Sequence, residues 1–176
     1  MASVTALAAK LDAGQEASYR VAPHNVEAEQ ALLGAILVNN DAFYRVSDFL
    51  LPEHFFEQVH LKIYETTASL IRAGKIANAI TLKTFMQDDD LGGLKVSQYL
   101  ARLTAEATTV INAQDYGQTI YDLAIRRSLI TVGEDMVNVA YDSPVDASPR
   151  EQIEEAERKL FALAEKGRYE GGFQPF

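Results

Sequence analysis

The chain has 176 residues, 48% of them apolar and 23% charged, which bounds it to one domain of ordinary size with room for a real core. A formal net charge of −9 argues against tight sequence-independent phosphate binding by this chain alone, and the lack of cysteine removes disulfide and thiolate-metal chemistry. No apolar run reaches membrane length, and Lys10 and Asp12 interrupt what would otherwise resemble a signal core, so the protein reads as cytoplasmic with no membrane partner.

Residues Met1 to Ala22 are Ala-rich, with Val4, Leu7 and Leu11 as a weak helical stripe, and read as a mobile tail. From Pro23 the pattern is helical almost throughout. Asn25 can cap a helix that opens with Glu27 and Glu29, whose charge suits its positive end. Ala28, Leu32, Leu33, Ile36 and Leu37 form its apolar face, and Asn39-Asn40-Asp41 ends it. A short helical turn over Ala42 to Val46 follows, then a break at Leu51-Pro52-Glu53.

Glu57 to Arg72 reads as a third helix, with Val59, Ile63, Tyr64, Thr67, Leu70 and Ile71 inward and Gly74 closing it. Thr81 can cap a short helix bearing Leu82, Phe85 and Met86. Asp88-Asp89-Asp90 and Gly92-Gly93 form a loop before another short helix marked by Val96, Tyr99, Leu100 and Leu103. Period-two alternation is nowhere sustained, so the fold class is all-α: a small helical head followed by a long αα-hairpin.

The hairpin is the most informative stretch. Asn112 to Tyr141 and Pro149 to Lys166 are joined by a turn too short for anything but a fold-back. Ser148 as N-cap, Pro149 at the first position and Glu151 of a capping box start the second helix; Lys166 and Gly167 end it. Ile153, Ala156, Leu160 and Leu163 make a narrow seam suited to one facing helix, while Glu154, Glu155, Glu157 and Arg158 face water.

The first hairpin helix carries two stripes. Tyr116, Ile120, Leu123, Ile130 and Val137 follow one face; Ile125, Leu129, Val132, Met136 and Val139 follow another. One partner helix cannot cover both. The surplus is either packed inside a single monomer or covered by a second chain, and the second reading points to self-assembly.

Chemistry is conspicuous by its absence. Gly74-Lys75 lacks the glycine and the following Ser or Thr of a phosphate loop. Glu57 and His60 have the spacing of a di-iron ligand pair, but such sites use two of these motifs, so His60 reads as a packed or solvated histidine. Asp88-Asp89-Asp90 lacks the spacing and closing Glu of a calcium loop. No GxSxG, HExxH or GxGxxG occurs. Arg126-Arg127 is a basic pair inside a helix, with Asp122 placed for an intrahelical bond to Arg126.

The run from Pro23 to Gly34, PHNVEAEQALLG, resembles the opening signature of the N-terminal domain of DnaB-family replicative DNA helicases. The resemblance continues through Phe55, His60, Ile63-Tyr64, Gly92-Gly93, Tyr99-Leu100, then Asn112, Tyr116, Ile120 and Arg126-Arg127, to Gly167-Arg168-Tyr169. One departure is Thr108-Thr109-Val110-Ile111, which lacks the proline expected before the hairpin.

The resemblance implies a division into a tail (1–22), a helical head (23–106), a hairpin (107–166) and the start of a linker (167–176) to an absent RecA-like motor domain. Phe173 and Phe176 near the terminus fit a natural chain that continues. It further implies an oligomerisation and primase-recruiting domain, not itself an enzyme, of a parent that hydrolyses ATP to unwind DNA at the fork. The fragment would need no cofactor, since ATP and Mg act in the motor domain. Its partners would be itself, as a dimer and a hexameric ring, the primase C-terminal domain, and a helicase loader, with DNA reached only through the full ring. Leu129, Val132, Met136, Val139, Ile153, Leu160 and Leu163 would form the dimer seam, and Tyr141, Asp142 and Arg150 the primase face. The rival reading is a free-standing helical adaptor or regulator resembling the helicase-binding domain of primase; a small helical enzyme lacks any supporting residues.

Overall fold

The computed structural model describes residues 20–87, 91–107, 112–143, 145 and 147–168, with the side chains of 167 and 168 excepted. The Ala-rich tail through residue 19, Asp88-Asp89-Asp90, Thr108–Ile111, Pro144, Asp146 and the terminal stretch from Tyr169 lie outside the described residues. Among the described residues there are seven α-helices, one 3-10 turn and no strand. In chain order these are α1 (Val26–Val38), α2 (Asp41–Tyr44), a 3-10 turn (Pro52–His54), α3 (Gln58–Arg72), α4 (Ala79–Lys83), α5 (Val96–Glu106), α6 (Ala113–Tyr141) and α7 (Pro149–Arg168).

Local chemistry sets most of these boundaries. Asn25 Oδ1 accepts from the Ala28 amide at 2.9 Å, fixing the start of α1. At its far end the Asn40 amide clamps two segments: Nδ2 donates to Ile36 O and Ala77 O, and Oδ1 accepts from Ala77 N at 3.0 Å. Gly74 stops α3 with a φ of 71°, a conformation that favours glycine. Ser148 and Glu151 close a reciprocal capping box on α7, Glu151 N to Ser148 Oγ at 3.2 Å and Ser148 N to Glu151 Oε2 at 3.0 Å.

Two boundaries differ from the sequence expectation. Asn78, not Thr81, caps α4, accepting from Ile80 N and Thr81 N; Thr81 sits at the third helical position and its Oγ1 accepts from Asn78 N. Helix α7 passes through Gly167 to Arg168 instead of closing there, because glycine permits a left-handed end without requiring one.

The head is built around α1, whose Leu32, Leu33, Ala35 and Ile36 are fully enclosed. Helix α5 lies so close that a Cβ on Gly34 would stand 2.5 Å from the Leu103 carbonyl oxygen, so this crossing requires glycine. Ile63, Tyr64 and Thr67 of α3, Leu82 of α4, Leu100 and Leu103 of α5 and Phe43, Val46 and Leu50 after α1 complete the core. The Tyr64 hydroxyl donates to Leu50 O at 3.0 Å, and burial pushes its phenol well above the usual tyrosine range.

Helix α6 belongs to both parts of the molecule. Its first half buries Ala113, Gly117, Ile120, Tyr121 and Ala124 against the head. Beyond Ser128 it leaves the head and runs beside α7, and from there its apolar residues lose their cover.

Candidate functional site

Three features stand out. The first is the hairpin flank. Met136, Val139 and Ala140 of α6 and Pro149, Ile153 and Ala156 of α7 line an open apolar groove of about 280 Å³. The contact between the helices is closed at Ala156, which is 8% exposed, but Met136 at 48%, Ile153 at 60% and Leu160 at 42% stand largely in solvent. Leu129, Ile130, Val137, Val139 and Phe161 are exposed as well, and Val132 is half-covered. An ion pair, Lys159 Nζ to Asp135 Oδ2 at 3.4 Å, borders the groove. Such a run of bare apolar side chains is costly in water unless another surface covers it.

The expected seam residues therefore separate into three places. Met136, Val139 and Ile153 share the groove, with Leu129, Val132 and Leu160 exposed or half-covered elsewhere along the hairpin. Leu163 lines instead the cleft between hairpin and head. At the turn, Tyr141, Asp142 and Arg150 are all exposed; Arg150 Nε donates to Glu154 Oε1, and the Asp142 amide donates to Asn138 O. A hydrogen bond from Gln152 Nε2 to Ser143 Oγ fastens this tip across the two helices.

The second feature is the junction of head and hairpin, and its centre is Arg127. One guanidinium nitrogen donates to Pro23 O at 2.8 Å and the other to His54 O at 2.7 Å, tying α6 to the lead-in of α1 and to the 3-10 turn. The group lies 5.5 Å from the centroid of the Phe56 ring, on which His24 also stacks at 4.0 Å. Arg126 plays no such part. It is exposed, and Asp122 accepts from Gln118 Nε2 at 2.9 Å instead of pairing with it.

His54 shows the electrostatics of this junction. Its Nδ1 accepts from the Leu51 amide at 3.0 Å, and its ring meets Tyr121 edge-on. Burial holds its pKa below the ordinary histidine value; Lys166 and Arg127 push the same way and Glu53 opposes them.

The third feature lies inside the head. Glu29, 2% exposed, accepts from Phe56 N at 2.6 Å, Glu57 N at 3.4 Å and His60 Nδ1 at 2.6 Å. His60 Nε2 meets the Tyr99 hydroxyl at 2.6 Å, and Gln30 Nε2 donates to that same oxygen. Every group is satisfied if Tyr99 donates to Nε2 and Nδ1–H donates to Glu29. Burial raises the Tyr99 phenol, which keeps its proton available for that bond. Glu29 also anchors the lead-in to α3 through the Phe56 and Glu57 amides, while the Glu57 side chain makes no capping bond. Carboxylate, imidazole and phenol thus form a lock holding α1, α3 and α5 together. The arrangement settles how His60 is packed: it has protein partners on both ring nitrogens. Among the described residues no group of three or more His, Cys, Asp or Glu is placed to hold a metal ion.

Neither the Glu29 lock nor the Arg127 clamp was singled out from sequence, though the signal for Glu29 was present. It falls in register with Leu33 and Ile36, so an acid on that face had to find a buried partner.

A helical head with a buried core, carrying a helical hairpin whose apolar flank is open, defines the class of domain. The model of the "DnaB-like helicase N terminal domain" matches residues 21–122, and the chain belongs to that family. It is similar to the replicative DNA helicase DnaB of Rickettsia felis, 49% identical over 155 residues that cover 88% of this chain and 31% of the relative. The corresponding helicase of Pasteurella multocida is 35% identical over 150 residues, 83% of this chain and 31% of the relative. The chain therefore spans about a third of the length of the curated relatives it matches. Its structure is similar to the N-terminal domain of DnaB helicase from Mycobacterium tuberculosis, with a TM-score of 0.72 and 27% identity over 81% of this chain and 99% of that one. It is also similar to a DnaB-like replicative helicase whose structure was described with its interactions with primase. That match has a TM-score of 0.62 and 27% identity, and covers 79% of this chain and 31% of that one.

Proposed function

We propose that this chain is the assembly and recruiting module of a replicative DNA helicase, acting in the cytoplasm as the front part of a longer protein. The observation that carries this is the bare apolar flank of the hairpin, where exposed apolar side chains of both helices gather along one groove. A second copy laid against the groove of Met136, Val139 and Ile153 would cover it, and repeated pairing would build a hexameric ring. The hairpin tip, with Tyr141, Asp142 and Arg150, would face the C-terminal domain of primase; the helicase similar in fold and described with primase supports that direction. ATP and Mg²⁺ would act in a motor domain that follows, and loader and DNA would engage the assembled ring.

Light scattering tests the pairing. The chain should run as a dimer or larger at tens of micromolar, and Met136→Glu should raise the dissociation constant on the order of 100-fold by placing a carboxylate in a desolvated seam. A strict monomer at high micromolar concentration refutes it. Calorimetric titration with the primase C-terminal domain tests the tip: Tyr141→Ala should weaken binding by about 1–2 kcal/mol, and unchanged affinity would move the contact elsewhere.

A further inference from the structure

The cleft between head and hairpin is not used by either proposed contact. It measures about 300 Å³, and into it face Arg127 of α6, Lys166 of α7 and His54 of the 3-10 turn, with Leu163 and Glu53 beside them. Three separate elements thus converge nitrogen donors on one concavity, in a chain whose formal net charge is −9. Two of the five guanidinium hydrogens of Arg127 go to Pro23 O and His54 O, which leaves three for another acceptor. Among the residues that line the cleft, Glu53 is the one carboxylate against the cations Arg127 and Lys166, with the buried Glu29 also acting on Arg127 from inside the head. The lining itself is thus richer in cations than in carboxylates even though the whole chain is acidic.

We propose that this cleft is a binding site for a small oxyanion of the phosphate class, gripped between Arg127, Lys166 and His54. An anion there relieves the mutual repulsion of two cations and can accept from His54 Nε2–H, since Nδ1 is taken by the Leu51 amide. Because Lys166 and Leu163 belong to the end of α7 and His54 to the head, the bound anion bridges the two parts of the molecule. Occupancy therefore stiffens the head against the hairpin. His54 thus serves as a donor while neutral; burial, Lys166 and Arg127 all oppose a second proton in the empty cleft and Glu53 favours it, so a bound anion adds to the pull of Glu53.

The test follows the His54 imidazole of the 176-residue chain by NMR while pH is varied, in inorganic phosphate and in chloride at matched ionic strength. Phosphate should raise its midpoint by about half a unit, the effect of one charge at contact distance in water-like surroundings. Lys166→Ala, at an exposed position, should weaken phosphate binding about five-fold or more while leaving the fold intact. Arg150→Ala serves as control: it lies 16 residues away on the same helix, about 24 Å by helical rise, and should leave phosphate binding unchanged. Thermal unfolding should rise with phosphate in the parent chain and less in Lys166→Ala. An equal response to chloride, or a phosphate response untouched by Lys166→Ala, overturns the site.

Discussion

Removing the Glu29 carboxylate should cost more stability than removing any exposed charge in this chain. Glu29→Ala leaves the Phe56 amide and His60 Nδ1, each 2.6 Å from a carboxylate oxygen, without an acceptor in a site only 2% exposed. A buried donor stripped of its partner costs about 1–3 kcal/mol. The Glu57 amide, at 3.4 Å, adds little. Two lost bonds give about 2–6 kcal/mol, against a total stability on the order of 5–15 kcal/mol for a domain of this kind. Water entering the vacated space would bring the loss toward the lower end.

Glu29→Gln separates geometry from charge. Its amide oxygen can still take the Phe56 amide, while its NH₂ can donate to His60 Nδ1 if the imidazole proton moves to Nε2 and Tyr99 becomes the acceptor. That rearrangement should hold the loss to about 1–2 kcal/mol. Urea unfolding followed by helical circular dichroism, at one fixed protein concentration because association stabilises the folded form, gives both values. A double-mutant cycle of Glu29→Ala with His60→Phe should show coupling above about 1 kcal/mol. A loss below about 1 kcal/mol for Glu29→Ala, or additivity in the cycle, refutes the lock.

Gly34→Ala should destabilise the head by about 1–3 kcal/mol, since the new Cβ meets the Leu103 carbonyl oxygen at 2.5 Å and backbone must shift; an unchanged urea midpoint would refute the close crossing. His54 gives a pH dependence of known sign. Its folded pKa lies below the unfolded value, so the native state takes up protons less readily, and stability present above about pH 6.5 is lost as pH falls through that region. Carboxylates also titrate in acid, so the signature is the difference between parent and His54→Gln, whose stability profile should be flatter between pH 7.5 and 5.5; parallel profiles would refute it.

How much of this was legible in the sequence follows from what each feature depends on. Helix existence depends on periodicity within a segment, and α1, α3, α5 and both hairpin helices declare it through Leu32-Leu33, Ile63-Tyr64, Leu100 and the Ser148-Pro149 start. Caps depend on a few neighbouring residues, and where two candidates stand close the sequence does not choose: Asn78 and Thr81 both qualify, and their reciprocal bonds put Asn78 at the cap. Tertiary polar contacts depend on residues far apart. Arg127 and Pro23 are 104 positions apart, Glu29 and His60 31, and no local pattern announces such pairs.

That same division explains why the hairpin reads so well. Its surplus of apolar residues is a property of one helix, visible as two stripes before any partner is known. Intramolecular packing buries Ala113, Gly117, Ile120, Tyr121 and Ala124, a face rich in small residues that shares only Ile120 with the stripes, while Tyr116, Leu123 and Ile125 are half-buried. This packing stops where α6 outgrows the head. From Leu129 onward both stripes continue at helical spacing although the head has nothing left to cover them. A hairpin with only its own two helices to satisfy would have no use for Leu129 and Val137 of α6 and Phe161 of α7 as well as Ala156. Their exposure costs solubility, and a second surface that buries them turns the same cost into association energy, about 25 cal/mol for each Å² removed from water before ordering costs. On the proposed reading the open flank is the part of the sequence that serves another molecule, and the Arg127 clamp at its base ties it to the head through Pro23 O and His54 O.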